Sequence, residues 1–258
     1  MLREVKNGEM IYMVSDVIPV RHLFTTRFGG VSKGDLASLN VGSNRGDDPE
    51  CVRENYRRVC SYFGCGEDDA CVTGQLHGNI VRTMTFGDRH ICLSKVPYEA
   101  DGIVSFEKGL PLMCFTADCI PALLCDKAGT VAAAVHCGWR SSVSDILKNA
   151  VEAMKADPSE ICCALGPSIG PCCFETDADV ADAVVEYIGE KPFVKRGDKY
   201  FVDLKEANRI RLLQLGLKDE NIDVSSECTV CSHDKYWSHR YTTKNGLARG
   251  TQTAAIML

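Results

Sequence analysis

The chain has 258 residues, of which 45% are hydrophobic and 25% charged, a composition typical of a folded globular protein and not of a disordered or collagen-like one. Lysine and arginine number 29 against 35 acidic residues, giving a net charge of −6; without a basic cluster, nucleic-acid binding is not indicated. No apolar run approaches the roughly 18 residues of a membrane span, and the N-terminal residues lack the apolar core of a signal peptide, so we expect a cytoplasmic protein with no membrane partner.

The first predicted element is a short strand or hairpin around Met10–Val14. Residues 23–44 are rich in Gly, Ser, Thr and Asn, which predicts a loop. A helix is predicted to begin at Asp48-Pro49-Glu50 and to end at Gly64, because proline suits the first turn and acidic residues complement the helix dipole. Further strands are predicted at 70–73, 80–83, 102–105, 111–115, 121–125, 130–136, 161–165 and 252–257, and near 224 and 228. Further helices are predicted at 142–155, 177–188 and 204–215.

The predicted strands cluster in the middle of the chain and the helices flank them. This order predicts an α+β (mixed α/β) fold with a mixed sheet, and the absence of a linker or repeat predicts one domain over residues 1–258. Neither the glycine-rich dinucleotide motif nor the P-loop motif occurs.

The chain contains 15 cysteines, an unusually large and odd number. A disulfide framework would belong to a shorter, secreted chain. We expect most of them to be reduced thiols that serve as small core residues. Cys228 and Cys231 have the spacing of a metal or redox pair, but the sequence shows no second pair with that spacing. The pairs Cys162-Cys163 and Cys172-Cys173 flank a Gly/Pro segment, which we interpret as a structural turn.

Three stretches place histidine or cysteine beside turn residues at the ends of predicted strands: Gln75-Leu76-His77-Gly78, Thr116-Ala117-Asp118-Cys119 and His136-Cys137-Gly138. Histidine and cysteine are the ligands that zinc and copper prefer. Three ligands drawn from separate strand ends leave one coordination position open, as in catalytic zinc sites. The alternative is that both histidines are hydrogen-bonded core residues and that Cys119 only packs.

The same stretches carry a family resemblance. QLHG, ADGIVS, TADCIPALLCD, AAVHCGWRS and LGPSIGPCCFE, in this order, resemble the YfiH family, also called multicopper polyphenol oxidoreductases or laccase-domain proteins. The resemblance begins near Phe24 and runs to the end of the chain. The sequence departs from the family at HCGWRS, where HAGWRG is usual, and at His239, where an aromatic residue is common.

The resemblance implies a mixed α/β domain related to the catalytic domain of cytotoxic necrotizing factor. It also implies a metal ion held by His77, Cys119 and His136. The ion is usually zinc, with copper as the alternative. The implied activity is phosphorolysis of the purine nucleosides adenosine, inosine and methylthioadenosine, with adenosine deamination as a side reaction. The implied partners are therefore a purine nucleoside and phosphate.

Phosphorolysis needs a group that binds phosphate, and arginine suits this because its planar fork bonds two oxygens at once. Arg27, beside Gly29-Gly30, is the first candidate, and Arg140, four residues after His136, is the second. Asn40 is a candidate hydrogen-bonder to ribose or phosphate. Cys119 and His136 complete the predicted catalytic set.

Three alternatives stay open at this point. A copper-dependent polyphenol oxidoreductase (laccase) needs about ten histidines for its four coppers, whereas this chain has six. A metal-free cysteine hydrolase would use His136 to activate the Cys119 thiolate as nucleophile. A non-catalytic binding module would turn over no nucleoside. The sequence does not rank the nucleosides or give the oligomeric state.

Overall fold

A computed structural model describes residues 2–258. Its strands are β1 Arg3–Asn7, β2 Met10–Val14, β3 Arg21–Thr25, β4 Val81–Thr83, β5 Gly102–Ser105, β6 Leu112–Thr116, β7 Ile120–Asp126, β8 Ala132–Cys137, β9 Ile161–Leu165, β10 Glu175–Thr176, β11 Phe193–Arg196, β12 Lys199–Val202, β13 Ile222–Val224 and β14 Gln252–Met257. Its α-helices are α1 Pro49–Phe63, α2 Trp139–Val143, α3 Ile146–Met154, α4 Ala178–Ile188, α5 Leu204–Gln214 and α6 His239–Asn245. Short 3-10 turns lie at Gly34–Leu36, Phe86–Asp88, Pro158–Glu160 and Asp219–Asn221.

The strands form three sheets. A five-stranded antiparallel sheet has the order β1-β2-β3-β14-β6, and a six-stranded mixed sheet has the order β13-β9-β7-β8-β5-β4. Only the outer pairs of the six-stranded sheet, β13 with β9 and β4 with β5, are parallel. A small third sheet has the order β10-β12-β11.

The two large sheets face each other, and helices cover both outer faces. In β14, Ala255 packs in the core shared with α1, whereas Ile256 packs in the core between the sheets. In β7, Leu123 belongs to the core between the sheets, whereas Leu124 packs in the core shared with α3, α4 and α5. Because neighbouring residues of a strand point to opposite faces, this alternation produces four layers in the order helix, sheet, sheet, helix.

The predicted mixed α/β fold is confirmed, with the strands divided among several sheets. Helix α1 begins and ends as its sequence predicts: the Asp48 carboxylate accepts a hydrogen bond from Glu50 N at 2.9 Å, and Gly64 ends it in the left-handed region at φ 80°. The predicted helix at 142–155 is wrong in detail, because Asp145, at φ 69°, separates α2 from α3. The predicted strand at 70–73 is only an isolated bridge from Cys71 to Leu112.

The cysteines of residues 2–258 are all free thiols, as expected. Nine of the fifteen are buried, mostly on strands of the two large sheets, which agrees with their interpretation as small core residues. Across the part of the chain that the structure describes, no helix combines the length and the apolar character that crossing a bilayer would require.

Candidate metal centre and its cavity

His77, Cys119 and His136 come together at one end of the six-stranded sheet. His136 lies in β8 and Cys119 immediately precedes β7, whose Pro121 pairs with His136 in the antiparallel register. Their ligand atoms all lie within 4.8 Å of one another, and His77 Nε2 is 3.7 Å from Cys119 Sγ. Two imidazoles and one thiol at this spacing fit a single zinc or copper ion. The structure therefore brings the three predicted ligands together.

Asp101, immediately before β5, orients two of the three ligands. Its carboxylate accepts hydrogen bonds from His136 Nδ1 at 2.8 Å and from the backbone N–H groups of Leu76, His77 and Gly78 at 2.8 to 3.1 Å. Because Nδ1 is occupied by Asp101, the free nitrogen of His136 is Nε2, on the side of Cys119. Burial alone would raise the pKa of Asp101, but the hydrogen bonds from His136 and from the loop amides lower it.

The backbone at the centre is held in an uncommon conformation. His77 has φ 61° and Asp118, immediately before Cys119, has φ 86°, in the left-handed region that residues other than glycine seldom adopt. Asp118 is fixed there by Thr229 Oγ1 and Arg240 N, each donating to its carboxylate at 2.6 Å. Such backbone strain is concentrated at functional sites.

The centre is also electrostatically coupled. Burial alone would raise the pKa of the Cys119 thiol, but hydrogen bonds and charge from His136 and His77 bring it down to about 6. Burial alone would lower the pKa of His136, but Asp101 and Cys119 raise it. Both shifts favour the thiolate of Cys119 and the imidazolium of His136 when no ion is bound.

The three residues line a cavity of about 580 Å³. A volume of this size is within the range of small-molecule sites. Its side walls include Tyr56, Val72, Phe115 and Val96, which give an apolar surface. The rings of Tyr56 and Phe115 are 6.0 Å apart between centroids.

Three cationic or titratable side chains, Arg45, His239 and Arg249, line the same cavity on its exposed side. Arg249 Nη1 lies 2.6 Å from Nδ1 of His239. Partial burial of Arg45, together with the positive charge of Arg249, lowers the pKa of Arg45. No ion pair between either arginine and a carboxylate occurs among the described residues. Two arginines that line one cavity without an acidic partner provide a site for an anion. Sequence reasoning missed Arg45 and Arg249, because they lie in loops at opposite ends of the chain.

The structure does not bring Arg27 to this cavity. Its guanidinium donates to the carbonyl oxygens of Asp35, Ala37 and His233 at 2.8 to 3.2 Å and stacks over the Trp237 ring at 4.0 Å. These contacts fasten the loop of residues 27–39 to the segment around Trp237.

Asn40 and Arg140 are also outside the cavity lining. Asn40 is buried, and its Oδ1 accepts from the backbone N–H groups of Gly42 and Thr251, two residues that do line the cavity. Arg140 is exposed and lies over the Trp139 ring at 4.3 Å. Gln75 does line the cavity, and both ends of its amide bond the backbone of Phe115 at 2.7 Å. Asn40 and Gln75 therefore shape the cavity through the backbone.

The family model described as multi-copper polyphenol oxidoreductase laccase matches residues 21–258. The chain belongs to this laccase-domain family. It is 36% identical over 226 residues to purine nucleoside phosphorylase YfiH of Shigella flexneri, covering 86% of this chain and 88% of that protein. It is 35% identical to purine nucleoside phosphorylase YlmD of Geobacillus stearothermophilus, covering 84% and 83%. The crystal structure of YlmD from G. stearothermophilus superposes with a TM-score of 0.90 at 29% identity, covering 98% of this chain and 97% of the other.

The family description mentions several copper ions. The side chains of this laccase-domain chain that could bind metal can be compared with that description. Over residues 2–258, two groups of three or more His, Cys, Asp or Glu side chains are close enough to share an ion. One is the centre described above, and the other consists of four cysteines. Neither contains the histidines of a trinuclear copper cluster, because only His77 and His136 lie together. The donor set fits single ions instead.

Proposed function

We propose that this chain is a metal-dependent purine nucleoside phosphorylase, converting a purine nucleoside and phosphate into the free base and ribose 1-phosphate. The observation that carries the proposal is a single cavity that joins the three-ligand centre, an apolar wall and two unpaired arginines. Its relatives named purine nucleoside phosphorylase, at about 35% identity over most of both chains, support it.

The apolar wall suits the purine. Tyr56 and Phe115 offer aromatic faces, and Val72 adds aliphatic surface. A flat, weakly polar base gains free energy by leaving water for such a surface. The ribose then lies between this wall and the exposed side of the cavity.

The two unpaired arginines, Arg45 and Arg249, suit phosphate. Each guanidinium can donate two parallel hydrogen bonds to phosphate oxygens, and a doubly charged anion relieves the repulsion between them. We therefore assign to Arg45 and Arg249 the phosphate-binding role that the sequence alone suggested for Arg27 and Arg140. Asn40 positions the backbone of Gly42 and Thr251 at the same cavity.

In the proposed reaction a phosphate oxygen forms a bond to C1′ of the ribose while the C1′–N9 bond breaks and its electron pair moves to the purine. The purine then takes up the proton that hydrogen phosphate gives up, so that free base and ribose 1-phosphate result. The arginines hold the phosphate and the ribose in line for this attack, and they offset the negative charge of the phosphate as it approaches C1′. His77, Cys119 and His136 would hold a metal ion, which would supply Lewis-acid chemistry in the cavity. We propose zinc for this set, with copper as the alternative.

A second candidate, a cysteine hydrolase, is favoured by one observation. Cys119, His136 and Asp101 form a thiol–imidazole–carboxylate series, with His136 Nδ1 2.8 Å from Asp101 and a hydrogen bond between His136 and Cys119. In the metal-free protein this series has the arrangement of a nucleophile, its base and an orienting acid. Adenosine deamination stays a prediction that the same assay tests.

The deciding experiment incubates purified protein with adenosine, inosine or methylthioadenosine and phosphate, and separates the products by chromatography. We expect free base and ribose 1-phosphate, loss of both in Cys119→Ala, and a raised KM for phosphate in Arg45→Ala and Arg249→Ala. Arg196→Ala, an exposed arginine in β11, is the matched control. Inosine and ammonia from adenosine would add the deaminase activity. Free ribose without a phosphate requirement, undiminished by chelators, would favour the hydrolase and contradict the proposal.

We further propose that residues 1–258 form one domain and act in the cytoplasm. The interleaving of β14, near the end of the chain, between β3 and β6 supports the first proposal. The free state of the cysteines in residues 2–258 supports a reducing compartment.

A further inference from the structure

Four cysteines away from the cavity meet at one point. Cys172 and Cys173 follow the Gly/Pro segment after β9, and Cys228 and Cys231 follow β13. Their four sulfur atoms all lie within 4.8 Å of one another, and Cys231 Sγ is 3.5 Å from the sulfurs of both Cys172 and Cys173. The sequence does not show that the two pairs meet, because more than fifty residues separate one pair from the other.

The spacing fits one tetrahedral ion. A tetrahedron with Zn–S bonds of 2.3 Å has edges of about 3.8 Å, close to the separations of these sulfurs. A disulfide requires sulfurs about 2.05 Å apart, much closer than 3.5 Å. An iron–sulfur cluster holds its thiolates around a cage of several atoms and needs a wider arrangement. Four thiols within 4.8 Å of one another could fill all four positions of a zinc ion, which is the donor set of a closed, structural site.

The surrounding backbone is arranged for a thiolate. Gly170 N donates to Cys228 Sγ at 3.2 Å, and the amides of Val230 and Cys231 face the same sulfur. A Cβ on Gly170 would lie 3.4 Å from Cys172 Sγ and 3.2 Å from Cys228 Cβ, so the absence of a side chain lets the segments approach. Amides directed at a sulfur stabilise its charged form.

A buried lysine supplies a charge that the cluster would balance. Lys205, in α5, is 6% exposed, and its Nζ donates to the carbonyl oxygens of Ser225 and Glu227 at 2.7 and 2.9 Å. It makes no ion pair within 4.0 Å among residues 2–258, and the charges that act on it from further away are those of Asp203, Cys228, Cys172 and Glu227. A buried ammonium without a counter-ion in contact is costly. A tetrathiolate zinc site has a net charge of −2 and would provide that counter-ion.

We propose that Cys172, Cys173, Cys228 and Cys231 bind one structural Zn²⁺, separate from the ion at His77, Cys119 and His136. The site fastens the segment of residues 225–240 to the loop of residues 166–174. That segment supplies Thr229 and Arg240, whose hydrogen bonds hold the Asp118 carboxylate next to Cys119. The proposed zinc therefore supports the turn that carries a ligand of the cavity without touching the cavity itself.

The test measures metal content of the full-length protein by mass spectrometry of the elements. His136→Ala, which disables the cavity centre, should retain one zinc per chain, and adding Cys228→Ser and Cys231→Ser should remove it. Cys51→Ser and Cys65→Ser, two half-buried cysteines outside the cluster, are the matched controls and should keep it. The cobalt-loaded His136→Ala protein should show the intense visible absorption of a tetrathiolate site, which the cysteine variants should lose.

A second measurement does not depend on the folding of the cysteine variants. X-ray absorption of the zinc-loaded His136→Ala protein should show four sulfur neighbours at about 2.3 Å. Hydrogen exchange of residues 225–240 should accelerate when the zinc is removed by a mercurial thiol reagent and a chelator. Any of three results would overturn the proposal: zinc content unchanged in Cys228→Ser/Cys231→Ser, a native mass showing two disulfides in place of zinc, or one equivalent of iron in place of zinc.

Discussion

Asp101 and His136 are joined twice: the carbonyl oxygen of Asp101 accepts from His136 N at 2.7 Å, and its carboxylate accepts from His136 Nδ1 at 2.8 Å. The same carboxylate accepts the amides of Leu76 and Gly78 on its second oxygen. One acidic side chain thus sets the orientation of His136 and the conformation of the loop that carries His77.

Asp101→Asn should therefore weaken metal binding at the cavity centre. An amide nitrogen in place of Oδ2 would face the N–H groups of Leu76 and Gly78, donor against donor, and the loop would shift. Losing a partner of this kind typically lowers metal affinity by about 10–100-fold. Competition titration against a chelator of known affinity measures the change.

Asp126→Asn is the control for this variant. Asp126 is also a buried carboxylate that accepts two backbone amides, from Thr130 and Val131, but it lies away from the centre. It should lose stability and keep its metal affinity. Equal metal affinity in the two variants would mean that Asp101 has no specific role.

Gly138→Ala should also weaken metal binding, for a steric reason. A Cβ on Gly138 would lie 2.6 Å from His77 Cδ2 and 3.4 Å from Cys119 Sγ, so the His77 ring would have to move. Gly87→Ala, where a Cβ would meet only Thr85 Oγ1 at 3.5 Å, is the control and should bind metal as the wild type does. A crystal structure of metal-loaded Gly138→Ala with His77 unmoved would contradict this prediction.

The parts of the fold that depend on local signals are the parts that the sequence predicts. Pro49 and Gly64 mark the ends of α1 because each acts on its own backbone, and the alternating or apolar runs of β5, β9 and β14 are recognisable without context. The division of 139–154 into α2 and α3 depends on the left-handed Asp145, which Arg211 holds through an ion pair at 2.6 Å. That contact joins distant segments and leaves no local pattern.

The site divides in the same way. His77, Cys119 and His136 are recognisable because few residue types bind metals and each stands beside a turn at a strand end. Asp101 has no such mark, since an aspartate before a strand is ordinary until the loop of residues 76–78 folds onto it. Arg27 looked suited to phosphate because of its glycine neighbours, but those glycines let the backbone approach Met10 and Leu39 closely. Arg45 and Arg249 become neighbours only in the folded chain.

Metal-free protein should contain a reactive thiolate at Cys119. Hydrogen bonds and charge from His136 and His77 outweigh burial and lower the pKa of Cys119 to about 6. The rate of iodoacetamide modification, followed on the Cys119 peptide by mass spectrometry, should therefore rise with pH to a plateau already reached near pH 7. His136→Asn should move that rise to higher pH, and zinc should suppress the reaction at every pH. A rise centred at the same pH in wild type and His136→Asn would contradict this assignment.

His22 should make folding stability depend on pH well away from the cavity. Its Nε2 accepts Ser15 N at 2.8 Å, and its Nδ1 donates to the carbonyl oxygen of Val20 at 2.8 Å, so the folded state holds a neutral ring. Burial lowers the pKa of His22 below the value of about 6.5 expected in the unfolded chain. The unfolded state therefore binds the proton more readily, so the stabilisation is complete above about pH 6.5 and decreases as the pH falls below it. In His22→Gln, whose amide can accept from Ser15 and donate to Val20 at any pH, the free energy of unfolding should change less between about pH 7 and 5. His233→Gln, at a partly exposed histidine, is the control: its free energy of unfolding, measured by urea titration, should change with pH as steeply as that of the wild type. An equally steep pH dependence in His22→Gln and wild type would show that His22 takes up its proton without loss of stability.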